Sequence, residues 1–260
     1  MTPTSERPVA VIPGAEPYSA PGGPHGALVV HGFTGSPASM RPVAEALAGA
    51  GFAVELPLLA GHGTSVEDML PTRFADWSAG LEAHYLELAG RTDSVVVAGL
   101  SMGGTLAAWL AARHPRIAGL VAVNGLYDPP AESFSDMLRM CLEQGQDRLP
   151  GIGSDIAAPG VAELAYEAAP VEGLLSLGEA VGELWGRLEA IRCPVLIMTS
   201  PQDHIVPPVS SDVLAARVSG SVERVTLERS FHVATLDYDQ DVVVERAVEF
   251  ALRVTAGLAP

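Results

Sequence analysis

Ser101 stands in Gly99-Leu100-Ser101-Met102-Gly103, and its flanks indicate what it can do. Before the run comes Ser94-Val95-Val96-Val97-Ala98, β-branched and readable as a buried strand. After it, Gly104 to Arg113 is rich in alanine and leucine and reads as a helix. A serine on a sharp strand-to-helix turn is a nucleophile elbow, exposed for attack on a carbonyl carbon. The turn drives Ser101 into a strained backbone region, and Gly99 and Gly103 remove β-carbons that would clash there. The helix start points unpaired N–H groups at negative charge developing beside the serine.

A serine hydroxyl is a weak nucleophile near neutral pH and needs a general base, which in turn needs an orienting carboxylate. In folds built on such an elbow the order along the chain is serine, acid, histidine. The three gather at the carboxyl ends of different strands. Asp203 meets that condition in Ser200-Pro201-Gln202-Asp203-His204, directly after the strand-like run 195–199. His232 meets it in Ser230-Phe231-His232, after the run 222–227. The competitors fit less well. His204 adjoins the acid and is expected to point elsewhere. His114 precedes Pro115 at a helix end and suits a cap, and Asp237 already approaches the last helix. Asp128, after the strand ending at Val123, is the alternative position for the acid.

Two N–H donors must hold the oxyanion of a tetrahedral intermediate. One is the backbone N–H of Met102, the residue after the nucleophile. The other is expected from His31-Gly32-Phe33-Thr34-Gly35, where glycines let the backbone approach a ligand closely, and Phe33 N–H is the candidate. His31 is expected to brace this loop by hydrogen bonds rather than to transfer protons.

The elements that must position these groups alternate along the chain. Apolar runs at 27–30, 52–56, 94–99, 117–123, 195–199 and 222–227 read as strands buried on both faces, as in a parallel sheet. Helical stretches fall at about 39–49, 73–90, 102–113, 207–218 and 239–255, the last with Val243, Ala247, Phe250, Ala251 and Val254 at helical spacing. The pattern predicts a doubly wound, mostly parallel α/β sheet. It breaks once, between Tyr127 and Leu188, where no strand is evident and 146–160 is rich in glycine, proline and aspartate. A helix with Leu177, Val181, Leu184, Leu188 and Ile191 on one face closes that stretch. We therefore expect a core of 1–126 and 189–260 with a helical cap inserted at 127–188. Met137, Leu138, Met140, Leu142, Leu174 and Leu175 are expected to pack the cap or line a pocket.

Composition bounds the partners. The chain has 260 residues and a net charge of −16, which argues against nucleic acid, an anionic membrane surface and polyanionic substrates. No apolar stretch reaches the roughly 18 residues of a membrane span. Residues 1–24 hold six prolines and no apolar segment behind basic residues, so no secretory signal is expected. Cys141 and Cys193 lack motif spacing and are expected to be buried thiols in a reducing, cytoplasmic setting.

With these residues placed, the chain resembles the α/β-hydrolase superfamily, and within it bacterial carboxylesterases and monoacylglycerol lipases. The resemblance lies in residues 31–35, Gly61-His62-Gly63, 99–104, the Asp203 loop and the segment from Ser230 to Asp237. It implies Ser101, Asp203 and His232 as a catalytic triad, Phe33 and Met102 as oxyanion donors, and 61–63 as a structural loop at the edge of the site. The early hairpin usual in the superfamily is reduced to 9–12 on this reading. The implied activity is hydrolysis of esters of neutral apolar acyl groups through an acyl-enzyme, on a small-molecule ester substrate, with no metal or organic cofactor. Action on an amide, thioester, lactone or C–C bond is the enzymatic alternative, and a non-catalytic binding protein on the same scaffold the other.

Overall fold

Valine- and leucine-rich strands that bury both faces form the centre of the sheet, as the continuous apolar runs require. The computed structural model describes residues 10–257. The amino-terminal half holds β1 (Tyr18–Ala20), β2 (His25–Val30), α1 (Arg41–Gly49), β3 (Ala53–Leu56), α2 (Val66–Met69), α3 (Phe74–Arg91), β4 (Ser94–Leu100), α4 (Met102–Arg113) and β5 (Ile117–Val123). There follow α5 (Glu132–Glu143), β6 (Arg148–Pro150), β7 (Ala168–Pro170) and α6 (Val171–Trp185). The chain then returns to the sheet with β8 (Val195–Thr199), α7 (Val209–Arg217), β9 (Val222–Thr226) and α8 (Gln240–Thr255).

Seven strands pair in the order β1-β3-β2-β4-β5-β8-β9, all parallel except β1. Helices cover both faces. Val43, Leu47, Val243 and Phe250 of α1 and α8 pack with Val29, Val96 and Val121 on one side. Trp77, Leu81 and Leu88 of α3 and Leu106 and Leu110 of α4 pack with Leu28, Val97 and Leu120 on the other. No helix among the described residues is long and apolar enough to cross a membrane.

Four expectations need correction. The early edge is β1, three half-exposed residues antiparallel to β3; residues 10–12 are not strand, and Val9 lies outside the described residues. The insertion does contain strands: β6 and β7 pair antiparallel, three residues each, too short to show a period. The 222–227 run forms the sheet's edge and is half-buried, because Glu223 and Arg224 interrupt its apolar pattern. Cys141 and Cys193 are free thiols but only half-buried.

The insertion is tied to the core. Leu177, Val181 and Leu184 of α6 belong to the same apolar cluster as α3 and α4. Arg73, which precedes α3, pairs with Glu172, and Phe74 N–H donates to Ser176 Oγ at 3.1 Å. Of the apolar residues noted between 137 and 175, Leu138 is buried, Leu174 lines a cavity and Met140 is exposed. Because Leu184 is fully buried in the shared cluster, Leu184→Ala is expected to cost about 2–5 kcal/mol and lower Tm by about 5–15 °C. Calorimetry should show one cooperative transition, whereas separate melting of the insertion would contradict the shared core.

Candidate active site

β4 runs straight into α4 with a single residue between them, and that residue is Ser101, at φ 56° and ψ −126°. A β-carbon on Gly99 would fall 2.2 Å from the Gly103 backbone, and one on Gly103 would fall 2.3 Å from the Val30 carbonyl oxygen. The elbow is therefore closed to any larger residue at either position. Two other non-glycine residues among those described have positive φ, Thr34 at 60° and Asn124 at 46°. They follow β2 and β5, so all three strained positions lie at the carboxyl edge of the sheet.

The expected partners converge there. His232 Nδ1 lies 2.7 Å from Asp203 Oδ2, with both side chains nearly buried. The other oxygen, Asp203 Oδ1, accepts from the backbone N–H groups of Ile205 and Val206, each at 2.8 Å. The carboxylate is thus oriented by its own loop before it meets the imidazole. Ser101 and His232 line one small recess together with Gly32, Phe33, Thr34 and Glu163. A β-carbon on Gly32 would sit 3.4 Å from Ser101 Cβ, so the 31–35 loop lies directly against the serine. Among the described residues, neither Phe33 N–H nor Met102 N–H donates to a protein acceptor. Both remain available to an oxyanion.

The competitors take other work. His114 ends α4 and pairs with Glu82 at 2.6 Å. Asp237 accepts from the N–H groups of Ala157, Ala158, Phe231 and Tyr238, a loop-bracing role. Asp128 is exposed on the wall of a cavity. That cavity, about 620 Å³, opens beside Ser101 and is lined mainly by apolar residues, among them Leu126, Phe134, Leu149, Ile152, Leu174 and Leu177. Its size suits a small-molecule ligand.

Three residues at the site escaped the reading of motifs. Asn124 Nδ2 donates to the His232 carbonyl at 2.8 Å, and its Oδ1 accepts from Ser200 N–H at 2.8 Å, so it joins the ends of β5 and β8 to the histidine loop. Its signal was its place directly after a central strand. Asp155 accepts from His232 N–H at 3.0 Å, from within the 146–160 stretch read only as irregular. Burial pushes its carboxyl up, but hydrogen bonds from His204 and His232 outweigh this and hold it below the ordinary aspartate value. Glu163 lines the recess, and burial pushes its carboxyl above the ordinary value against the opposing influence of His232.

Comparison with known proteins finds relatives of this chain. The family model described as serine aminopeptidase, S33 matches residues 24–239. The chain is 47% identical over 245 residues to a thermostable monoacylglycerol lipase of Bacillus sp. (strain H-257), covering 92% of this chain and 95% of that protein. A solved structure of the metagenome-derived lipolytic enzymes LipS and LipT superposes with a TM-score of 0.89 at 40% identity, covering 94% of this chain and all of that one. The monoacylglycerol lipase of Paleococcus ferrophilus shares the fold, with a TM-score of 0.71 at 19% identity over 92% of this chain and 99% of that one.

Two further histidines are buried here, His31 at the start of the 31–35 loop and His62 packed against it. His31 Nε2 accepts from Leu59 N–H at 3.2 Å and its Nδ1 is 2.9 Å from the Gly32 carbonyl, the bracing role expected of it. His62 packs edge-on against His31, Phe33 and Trp77. Burial lowers His31 to about 4, and burial together with the neighbouring His31 lowers His62 to about 3. Both therefore stay neutral in the folded protein while an unfolded chain binds protons near pH 6.5. Above that pH the two states do not differ. As pH falls from about 6.5 toward 4 and 3, the unfolded state gains protons first and stability is lost. Each such histidine contributes a slope approaching about 1.4 kcal/mol per pH unit in this window. Urea unfolding of His62→Phe between pH 6 and 4 should show a shallower loss of stability than the parent, and equal slopes would refute the neutral pair.

Proposed function

Since this chain belongs to the serine aminopeptidase S33 family within the α/β-hydrolase superfamily, we propose that Ser101, Asp203 and His232 are its nucleophile, orienting acid and general base, and that it hydrolyses carboxylic esters of apolar acyl groups. The observation that carries this is the doubly oriented Asp203 carboxylate, held by two backbone N–H groups and lying 2.7 Å from an imidazole that shares a recess with Ser101. On this reading 127–188 is the cap that walls the acyl cavity. The free thiols Cys141 and Cys193 fit a reducing cytoplasm.

The mechanism follows from the atoms. His232 Nε2 takes the Ser101 proton as Oγ bonds to the ester carbonyl carbon, and Asp203 stabilises the resulting imidazolium. Phe33 and Met102 N–H groups hold the oxyanion, a contribution worth about 10²–10³ in kcat for each donor. Collapse of the intermediate breaks the bond to the alcohol, which leaves with the proton from His232. A water molecule then attacks the acyl-enzyme, giving its proton to His232, and the acid departs as Ser101 regains a proton.

The two sides of Ser101 differ in chemistry. The large apolar cavity suits the acyl chain, and burial there contributes about 0.8 kcal/mol per methylene. The small recess offers the Glu163 carboxyl group as a partner for a free hydroxyl on the alcohol. A monoacylglycerol carries both features, which agrees with the name of the 47% identical relative.

Hydrolysis of p-nitrophenyl esters from acetate to laurate, with a fluorophosphonate label, tests the reading. The parent is expected to turn over and label, and Ser101→Ala to lose at least about 10⁴ in kcat together with the label. Cleavage of matched amides at comparable efficiency would overturn the ester assignment. Glu163→Ala is expected to raise KM for a monoacylglycerol about tenfold or more while sparing p-nitrophenyl esters, which have no free hydroxyl. An equal change for both substrates would remove Glu163 from alcohol recognition.

A further inference from the structure

The insertion reaches the histidine loop through one short stretch of backbone. Val233 N–H donates to the Asp155 carbonyl at 3.1 Å. Asp237 reaches back from the histidine loop to Ala157 N–H at 2.7 Å and Ala158 N–H at 2.9 Å. The Asp155 side chain goes further, to the base itself. Its Oδ2 accepts from His232 N–H at 3.0 Å and from His204 N–H at 3.1 Å, while Oδ1 lies 2.8 Å from His204 Nδ1. Asp155 is largely shielded, with 11% of its side chain exposed, whereas His204 is 60% exposed. The His204 ring is steadied in turn by edge-on contact with Phe231 at 4.6 Å.

His232 is therefore fixed at three points. Asn124 of the core holds its carbonyl, Asp203 holds Nδ1, and Asp155 of the insertion holds its N–H. Two histidine–aspartate pairs sit side by side, and one carboxylate serves both histidines, the ring of one and the backbone of the other. We propose that Asp155 is a positioning residue for the general base, and that His204, which also stands on the wall of the large cavity, serves it by fixing the Asp155 carboxylate. This rests on His232 being the base. The physical basis is that a displacement of the reacting group by about 1 Å costs about 10² in rate. A group that sets the backbone beneath His232 therefore acts on kcat without touching substrate. A mere latch between insertion and core would affect stability alone.

Steady-state hydrolysis of a p-nitrophenyl ester, with rates divided by the number of Ser101 sites titrated to completion with fluorophosphonate, separates the two roles. Asp155→Ala is expected to lower kcat per titrated site about 10- to 100-fold with KM changed less than about twofold. Asp155→Asn, whose amide oxygen still accepts from His232 N–H, should recover most of the loss. His204→Ala should lower kcat several-fold, any effect of its place on the cavity wall appearing in KM, and the double variant with Asp155→Ala should have a kcat no lower than Asp155→Ala alone. Parental turnover per site in Asp155→Ala, with only a lowered Tm, would overturn the proposal. Losses that multiply in the double variant would overturn the route through Asp155. If Asp155→Ala does not fold, the exposed His204→Ala keeps the test alive, because unchanged kcat there refutes the proposal. His232→Ala separates the two levels: full activity in it would sink the assignment of the base, whereas its inactivity beside a parental Asp155→Ala sinks only this inference.

Discussion

Between β4 and α4 the chain turns from extended to helical backbone across Ser101 alone, at a positive φ that a side chain normally avoids. Strain of this kind costs on the order of 1–3 kcal/mol and persists only where packing over-determines it. Here the packing is visible. Gly99 meets Gly103, and Gly103 meets the end of β2, at distances that admit no β-carbon. The strands on either side hold β4 in register, with Gly99 opposite Val30 on one side and Ala122 on the other. The serine projects because close glycine packing and the paired strands leave the turn no other course.

The same edge collects Asp203, His232 and the loop at 31–35. Thr34 after β2 and Asn124 after β5 share the positive φ of Ser101, and each serves a neighbour. The Thr34 carbonyl accepts from Tyr166 N–H of the insertion, which pins the loop at 31–35. Asn124 links the strand that leads to Asp203 with the loop that carries His232. Strain at the site is thus shared among three strand ends and offset by buried hydrogen bonds, each contributing about 1 kcal/mol.

The insertion belongs to this economy more closely than a cover would. Its helix α6 shares the core with α3 and α4. Its irregular stretch touches two loops at the site: Asp155 meets the loop of His232, and Tyr166, whose hydroxyl also donates to the Gly61 carbonyl, meets the loop at 31–35. The walls of the cavity beside Ser101 and one of the hydrogen bonds that hold His232 accordingly come from one segment of chain.

The turn at Ser101 and the meeting of Asp203 with His232 were legible because each stands at the boundary of an element with a clear period, and a strand followed by a glycine-flanked serine permits few geometries. The central strands and the core helices were legible for the same reason. Short elements such as β1, β6 and β7 carry three residues each, too few for any pattern to stand out. The partners of Asn124, Asp155 and Glu163 were not legible, for a different reason. Asn124 and Asp155 meet His232 across 108 and 77 residues of chain, and no window of sequence holds both partners. Local composition determined the backbone turns and the buried faces, because backbone conformation and burial answer to neighbours within a few residues. Which distant carboxylate and amide would close around the histidine was decided only when the insertion packed on the sheet, because a hydrogen bond needs its two atoms within about 3 Å.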